Sequence, residues 1–168
     1  MKPSGARAAG VAVAVGWLVL QGQACPSAYQ ATYNQEMQRL EAQQRVVNAQ
    51  AEAAHAQASK YAAVVYFAVG SPNLDQDAYR QLNWFVQQMQ PYPQAMFLVQ
   101  GFADSSGSEV NNQGLSLARA QNVADYLASQ GIAPPRMLVQ GFGEQYAAAS
   151  NETVQGRRNN RRVEVTVR

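Results

Sequence analysis

A five-residue apolar segment that occurs twice constrains the fold more than any other feature of the sequence. Leu-Val-Gln-Gly-Phe stands at residues 98–102 and again at 138–142. Each copy follows a stretch with helical apolar periodicity and a Pro-containing connection, so each copy is predicted to be a strand that follows a helix. Two helix-then-strand units of similar length predict two crossover connections packed on one face of a sheet.

Two more strands complete the predicted sheet. Residues 63–67 are a β-branched and aromatic run, and residues 162–167 alternate between polar and apolar side chains. Helices are predicted over residues 74–90 and 115–130, and polar loops over residues 103–114 and 143–156. The prediction is therefore an α/β chain of the α+β sandwich type, with a four-stranded mixed sheet and two main helices packed on one face.

The N-terminal region is predicted to be a signal peptide over residues 1–24. Lys2 and Arg7 precede an uncharged run over residues 8–20, which is too short for a membrane-spanning helix of about 20 residues. The single cysteine, Cys25, follows small residues in a degenerate lipoprotein cleavage sequence, so we expect it to be lipidated. Plain cleavage, which would leave a soluble periplasmic protein, and an uncleaved anchor remain open alternatives.

Residues 25–61 are predicted to form a helical spacer behind the lipid-anchor site. No Gly or Pro occurs between residues 29 and 60, and mostly apolar or Ala residues recur at steps of four and three from Tyr33 to Tyr61. Two interpretations remain open for this stripe. It belongs either to a solvated spacer helix or to a short coiled coil that makes a homo-oligomer through residues 33–61.

Composition excludes several classes of function. A zinc site built from Cys and His needs three or four ligands, and this chain has one Cys and one His. A catalytic triad would have to use His55, which lies in an Ala- and Gln-rich stretch. We therefore expect no metal, no cofactor and no triad. The formal net charge is +2, and five of the Arg residues fall within residues 157–168. Because a nucleic-acid binder needs a distributed basic face, nucleic acid is disfavoured as a partner.

Four motifs follow one another over residues 62–168, which we expect to form one domain. They are Gly-Phe-Ala-Asp-Ser-Ser-Gly at 101–107, Asn-Gln-Gly-Leu-Ser-Leu-Ala-Arg-Ala at 112–120, Gly-Phe-Gly-Glu at 141–144 and Asn-Arg-Arg-Val at 160–163. In this order and spacing they resemble the OmpA-like C-terminal domain, a peptidoglycan-associating module. The resemblance implies a non-catalytic tether between the bacterial outer membrane and the cell wall, lying at the periplasmic face of that membrane.

The resemblance also implies which residues hold the ligand, the diaminopimelate of the peptidoglycan stem peptide. Asp104 would accept from its ammonium, and Arg119 would bind its carboxylate with two parallel hydrogen bonds. Arg119 is expected in the first turns of its helix, where backbone N–H groups and the helix dipole favour an anion. Asn112 and Arg161 are the other expected ligand contacts.

The chain departs from the family pattern beside this pair. Phe102 and Ala103 replace the family's His and Thr, and Ala147 replaces a Pro. The sequence therefore does not determine the affinity for the stem peptide. The alternative function is an oligomeric scaffold subunit of an envelope machine with weak or no peptidoglycan binding. An enzyme is disfavoured because no nucleophile with a base and no suitably placed carboxylate pair is found.

Overall fold

The computed structural model describes residues 26–168, with side chains from residue 29 onward. The predicted signal peptide over residues 1–24 and the predicted lipidation of Cys25 lie outside the described residues. Contacts divide the chain between Ala51 and Glu52, and the compact unit runs from Glu52 to Arg168.

Helix α1 spans Pro26–Ala58 and confirms the predicted N-terminal helix. Pro26 occupies the first helical position, where its missing N–H costs nothing because that group has no helical partner. Four of the residues on the predicted stripe are at least 39% exposed; they are Tyr33, Met37, Leu40 and Val47. Within residues 26–168, no helix combines the length and apolar character that crossing a membrane requires.

The sheet contains four strands, and its order explains why it is mixed. The strands are β1 (Ala62–Tyr66), β2 (Phe97–Gly101), β3 (Met137–Gly141) and β4 (Arg162–Val167). Their order in the sheet is β1-β4-β2-β3. Strand β4 is antiparallel to both neighbours, and β2 and β3 are parallel. The predicted four-stranded mixed sheet with two crossover connections is thus confirmed.

Two main helices connect the strands that follow one another along the chain. Helix α2 spans Gln76–Met89 and helix α3 spans Glu109–Ser129. Each begins after a side-chain N-cap, Asp75 accepting from the Ala78 N–H and Ser108 accepting from the Asn111 N–H. A short 3₁₀ turn at Pro134–Arg136 leads into β3.

Two loop predictions were wrong. Helix α3 already begins at Glu109, inside the predicted loop over residues 103–114, because Ser108 caps it there. A short helix, α4, spans Val154–Asn160 and so begins within the second predicted loop over residues 143–156, with Thr153 as its N-cap. Its Gly156 lies so close to the chain that an added Cβ would come within 1.9 Å of the Ser150 carbonyl oxygen.

The hydrophobic core lies between the helices and one face of the sheet. Buried side chains from every strand except β3 meet buried side chains of α2 and α3, with partly buried Met137 and Val139 of β3 packed against them. The Phe85 ring of α2 meets the Phe97 ring of β2 edge-on at 5.6 Å, a favoured aromatic geometry. The core members with no exposed surface are Leu82, Phe85, Val99, Ala120, Val123, Leu127, Val163 and Val165.

The repeated pentapeptide forms two neighbouring strands in register. Gly101 pairs with Gly141, and the three residues before them pair likewise. A Cβ at Gly101 would come within 2.0 Å of the Ser116 carbonyl oxygen, and one at Gly141 within 2.6 Å of the Leu117 nitrogen. Both copies therefore have glycine because α3 lies directly against the sheet at this point.

Candidate ligand-binding site

The loops that follow β1, β2 and β3 meet at one edge of the sheet, and Asp104 lies among them. The residue is 6% exposed. Its Oδ2 accepts a 2.7 Å hydrogen bond from Arg161 Nη1, and its Oδ1 accepts from the Ser106 N–H at 3.2 Å. Arg161 Nε donates to the Phe67 carbonyl at 3.0 Å. The acid is thus held by a guanidinium that also fixes the end of β1.

The Asp104 carboxyl keeps its charge in this setting. Burial alone would raise its pKa, but the hydrogen bonds from Arg161 and Ser106, together with the positive charge of Arg161, outweigh that effect. The pKa therefore lies below its ordinary value of 3.8. At neutral pH the site contains a buried carboxylate anion.

Arg119 is fully buried, with 0% of its surface exposed. Its guanidinium donates to three backbone carbonyls, those of Ser71 (3.0 Å), Ala68 (3.0 Å) and Phe102 (3.1 Å). It also lies over the Phe67 ring at 5.2 Å. Arg119 therefore joins the loop after β1 to the residue that follows β2.

The environment of Arg119 corrects one expectation. Helix α3 begins at Glu109, so Arg119 lies in its middle and not in its first turns, and the N-terminal dipole does not act there. Burial lowers the pKa of the Arg119 guanidinium to about 10, with the Asp104 charge opposing and the Arg161 charge reinforcing that shift. Phe67 joins the two guanidinium groups, because Arg119 lies over its ring and Arg161 donates to its carbonyl. Together with Asp104, which Arg161 binds, they form one charged cluster.

Asn112 also joins two loops. Its side chain is 4% exposed, and its Nδ2 donates to Glu144 Oε2 at 2.7 Å and to the Gly107 carbonyl at 3.4 Å. Glu144 had no role among the residues expected from the sequence. The available signal was its place in the Gly-Phe-Gly-Glu motif that ends at this residue.

Arg162 is a second residue that had no place among the ligand contacts expected from the sequence. It is 7% exposed and lies over the Phe102 ring at 4.0 Å. Its Nε contacts Glu164 Oε1 at 2.6 Å and its Nη2 donates to the Tyr146 carbonyl at 3.3 Å, whereas Nη1 has no partner among residues 26–168. Phe102 in turn stacks on Phe142 at 5.5 Å. Phe102, which stands where the family has His, thus packs against the buried Arg162 guanidinium.

This arrangement is suited to recognising charge. One carboxylate and two guanidinium groups lie together under three loops, and backbone carbonyls orient the guanidinium groups. Within the described part of the chain, no group of three or more His, Cys, Asp or Glu side chains is arranged to hold a metal ion.

The fold and this loop cluster can be compared with known proteins. Residues 66–161 match the model of the OmpA family, and this stretch contains Asp104, Asn112, Arg119 and Arg161. The chain belongs to the OmpA family. The structural positions of the four motifs agree with that membership.

Three relatives illustrate the likeness. The peptidoglycan-binding protein ArfA of Mycobacterium tuberculosis (strain ATCC 25618 / H37Rv) is 40% identical over 89 residues, which cover 53% of this chain and 27% of that protein. The peptidoglycan-associated lipoprotein from Burkholderia pseudomallei has the same fold, with a TM-score of 0.60, 24% identity and coverage of 63% of this chain and 90% of that one. The cell wall anchor of the T6SS from Pseudomonas aeruginosa has a TM-score of 0.55 and 30% identity, covering 63% and 79%.

Proposed function

We propose that this OmpA-family chain tethers the bacterial outer membrane to the cell wall without catalysis. The buried cluster of Asp104, Arg119 and Arg161 carries this proposal, because it combines an anion with two cations at the loop edge of the sheet. Two relatives support it, since ArfA is a peptidoglycan-binding protein and the similar Pseudomonas aeruginosa protein is a cell wall anchor. The ligand is the diaminopimelate-containing stem peptide of peptidoglycan, bound noncovalently.

A zwitterionic ligand fits the charges of the cluster. The diaminopimelate centre carries an ammonium beside a carboxylate, so it needs one acceptor and one cationic donor at a fixed separation. Asp104 is kept ionised by its low pKa and accepts from the ammonium. The Arg119 guanidinium donates one N–H from each of its three nitrogens to a backbone carbonyl. Two of its five N–H groups therefore remain for the ligand carboxylate.

Entry of the ligand requires the loop over residues 103–108 to open. Asp104 and Arg119 are both closed off from solvent, whereas residues 105–108 are exposed. The Ser105 N–H is held by a 3.3 Å hydrogen bond to Asn151 Oδ1, longer than the usual 2.9–3.0 Å of a strong one. Asn112 and Arg161 hold the frame around this loop, Asn112 through Glu144 and Arg161 through Phe67.

The remaining parts of the proposal concern the N-terminal region and the site of action. Lipidated Cys25 anchors the chain to the outer membrane at its periplasmic face, and unlipidated chain would be soluble in the periplasm. The membrane anchor and the wall-binding domain together make the tether. In this proposal the spacer covers residues 25–61 and the binding domain covers residues 62–168.

A second candidate function follows from α1. Its exposed Tyr33, Met37, Leu40 and Val47 lie at steps of four, three and seven, which is typical of a coiled-coil seam. A homo-oligomer through residues 33–61 would make the chain a scaffold subunit of an envelope machine. A molecular mass that rises with protein concentration, measured by analytical ultracentrifugation, favours the scaffold over the monomeric tether.

Co-sedimentation of the full chain with purified sacculi tests the proposed tether. We expect the wild type to pellet, and Asp104→Asn and Arg119→Lys to stay largely in the supernatant. Asp77→Asn is the matched control, since Asp77 forms an ion pair with Arg80 that is exposed on α2. Circular dichroism before the assay establishes that each variant is folded.

The outcomes separate the hypotheses. Wild type that remains in the supernatant contradicts the tether, and a folded Asp104→Asn variant that pellets like wild type contradicts the proposed site. Release of muropeptides from the sacculi, measured in the same supernatants by chromatography, would show an enzyme and contradict the non-catalytic proposal.

A further inference from the structure

A groove between α2 and α3 is separate from the charged cluster. Its volume is about 370 Å³, which is within the range of small-molecule sites. Tyr79 of α2 faces residues of α3 across it, and the loop before α2 closes one end. The lining residues are Asn73, Leu74, Tyr79, Asn122, Asp125 and Tyr126.

Two tyrosine rings line the groove, and one of them is exposed. The Tyr79 side chain is 41% exposed, and its ring meets that of Tyr126 edge-on, at 4.8 Å and 62°. Tyr126 is fixed in turn, because its hydroxyl donates to Asn83 Oδ1 at 2.7 Å. The groove therefore offers an exposed ring with a fixed neighbour, which favours a ligand that has a flat apolar face.

Two polar side chains of the groove each have an oxygen that can still accept a hydrogen bond from a ligand. Asn122 Nδ2 donates to the Pro72 carbonyl at 2.8 Å, and no hydrogen bond to its Oδ1 is made within residues 26–168. Asp125 Oδ1 accepts from Gln121 Nε2 at 2.8 Å, which leaves Oδ2. The lining contains a carboxylate and no Lys or Arg, so phosphate and carboxylate ligands are disfavoured. A neutral ligand rich in hydroxyl groups fits instead.

The groove shares its loop with the charged cluster. Arg119 and Asn122 are neighbours on α3, one helical turn apart. Arg119 donates to the Ser71 carbonyl at 3.0 Å, and Asn122 donates to the adjacent Pro72 carbonyl at 2.8 Å. A polymer that places a peptide at the cluster can therefore place its next chemical unit in the groove.

We propose that this groove binds a sugar ring, with the glycan strand of peptidoglycan as its source. The exposed Tyr79 ring stacks against the apolar face of the pyranose, and Asn122 Oδ1 and Asp125 Oδ2 accept from its hydroxyls. This inference rests on the proposed function and extends it, since it assigns the saccharide to a surface distinct from the stem-peptide site. The chain then contacts two chemically different parts of one polymer.

The test measures binding of two probes to the full chain by isothermal titration calorimetry. One probe is soluble N-acetylglucosamine oligomers, and the other is the free stem peptide. Tyr79→Ala removes the ring, whereas Tyr79→Phe keeps it and serves as the matched control. Tyr66→Ala is a second control, because Tyr66 is 47% exposed on β1, outside the groove.

We expect Tyr79→Ala to bind the oligomers about tenfold more weakly than wild type, which corresponds to about 1.4 kcal/mol. Tyr79→Phe and Tyr66→Ala should bind them like wild type, and stem-peptide affinity should be unchanged in all three. Failure of the wild type to bind the oligomers, or equal affinity of Tyr79→Ala and wild type, overturns the sugar site. Equal affinity for maltose oligomers overturns peptidoglycan as the source.

Failure of the proposed function has a different signature. If the wild type binds the sugar oligomers through Tyr79 but not the stem peptide, the sugar site stands and the stem-peptide site falls. If the wild type binds the stem peptide but not the oligomers, the stem-peptide site stands and the sugar site is overturned.

Discussion

Replacing Gly101 by alanine should destabilise the fold, whereas replacing Gly114 by alanine should stabilise it. Gly101 lies in β2 under α3, and a Cβ there would be 2.0 Å from the backbone oxygen of Ser116 and 2.9 Å from its carbonyl carbon. Gly114 lies in α3, and a Cβ there would meet nothing within 4 Å. Gly101→Ala therefore tests how closely α3 packs on β2, and Gly114→Ala tests whether the backbone at residue 114 is helical.

The magnitude follows from these contacts. A carbon approaches a carbonyl oxygen to about 3.3 Å at closest, so Gly101→Ala forces α3 away from the sheet by about 1.3 Å. Overpacking of this kind costs about 1–3 kcal/mol. Because the obstacle is backbone and not a flexible side chain, we expect about 3 kcal/mol of destabilisation. Gly114→Ala should instead stabilise by up to about 1 kcal/mol, the difference in helix propensity between the residues.

Urea unfolding followed by circular dichroism measures both effects on the full chain. The two variants should differ by about 3–4 kcal/mol in free energy of unfolding. A Gly101→Ala protein within about 0.5 kcal/mol of wild type, the range of an ordinary surface change, would refute the close packing of α3 on β2. Destabilisation by Gly114→Ala would refute the helical start at Glu109.

Two further predictions concern buried polar groups. Asp104→Asn should destabilise by about 2 kcal/mol at pH 7, as measured by urea unfolding. Because the folded-state pKa of Asp104 lies below 3.8, its carboxylate stabilises the fold above about pH 4 and loses this effect as pH falls through the folded-state pKa. The gap to wild type should therefore shrink in acid, and a gap that stays constant to about pH 2 would contradict the ion pair. Asn160→Ala should cost about 1–3 kcal/mol, because the fully buried Asn160 bonds the Ala149 N–H, the Ala149 carbonyl and Asn151 Oδ1; a thermal melt unchanged from wild type would contradict this.

The sheet was predictable from the sequence because its signals are local. The alternating residues 162–167 and the two copies of Leu-Val-Gln-Gly-Phe each carry their strand pattern within a few residues. The start of α3 carries one local signal, the capping Ser108, but the residues that follow it obscure the helix. Asn111, Asn112 and Gly114 all have low helix propensity, and what compensates for them is tertiary, including the bond from Asn112 to Glu144.

The contacts within the candidate site were even less predictable from the sequence than the start of α3. The motifs indicated Asp104 and Arg119 as members, but not their partners. Arginine is almost never fully buried unless it is paired, and nothing near Arg119 in the sequence indicates three carbonyl acceptors on distant loops. The partner of Asp104 is Arg161, 57 residues further along the chain. Such pairs depend on the assembled fold and have no local signature.

The position of β4 in the sheet has a consequence for the order of folding. Strands β1 and β2 do not touch, because β4 lies between them, and the pairing of Ala62 with Thr166 closes about 100 residues of chain. A chain that is made from its N-terminus therefore has no strand to pair with β1 until residues 162–167 are available. Contacts of such long sequence separation slow folding. The sheet should therefore close late in folding, and the Asp104–Arg161 ion pair should form only at that point.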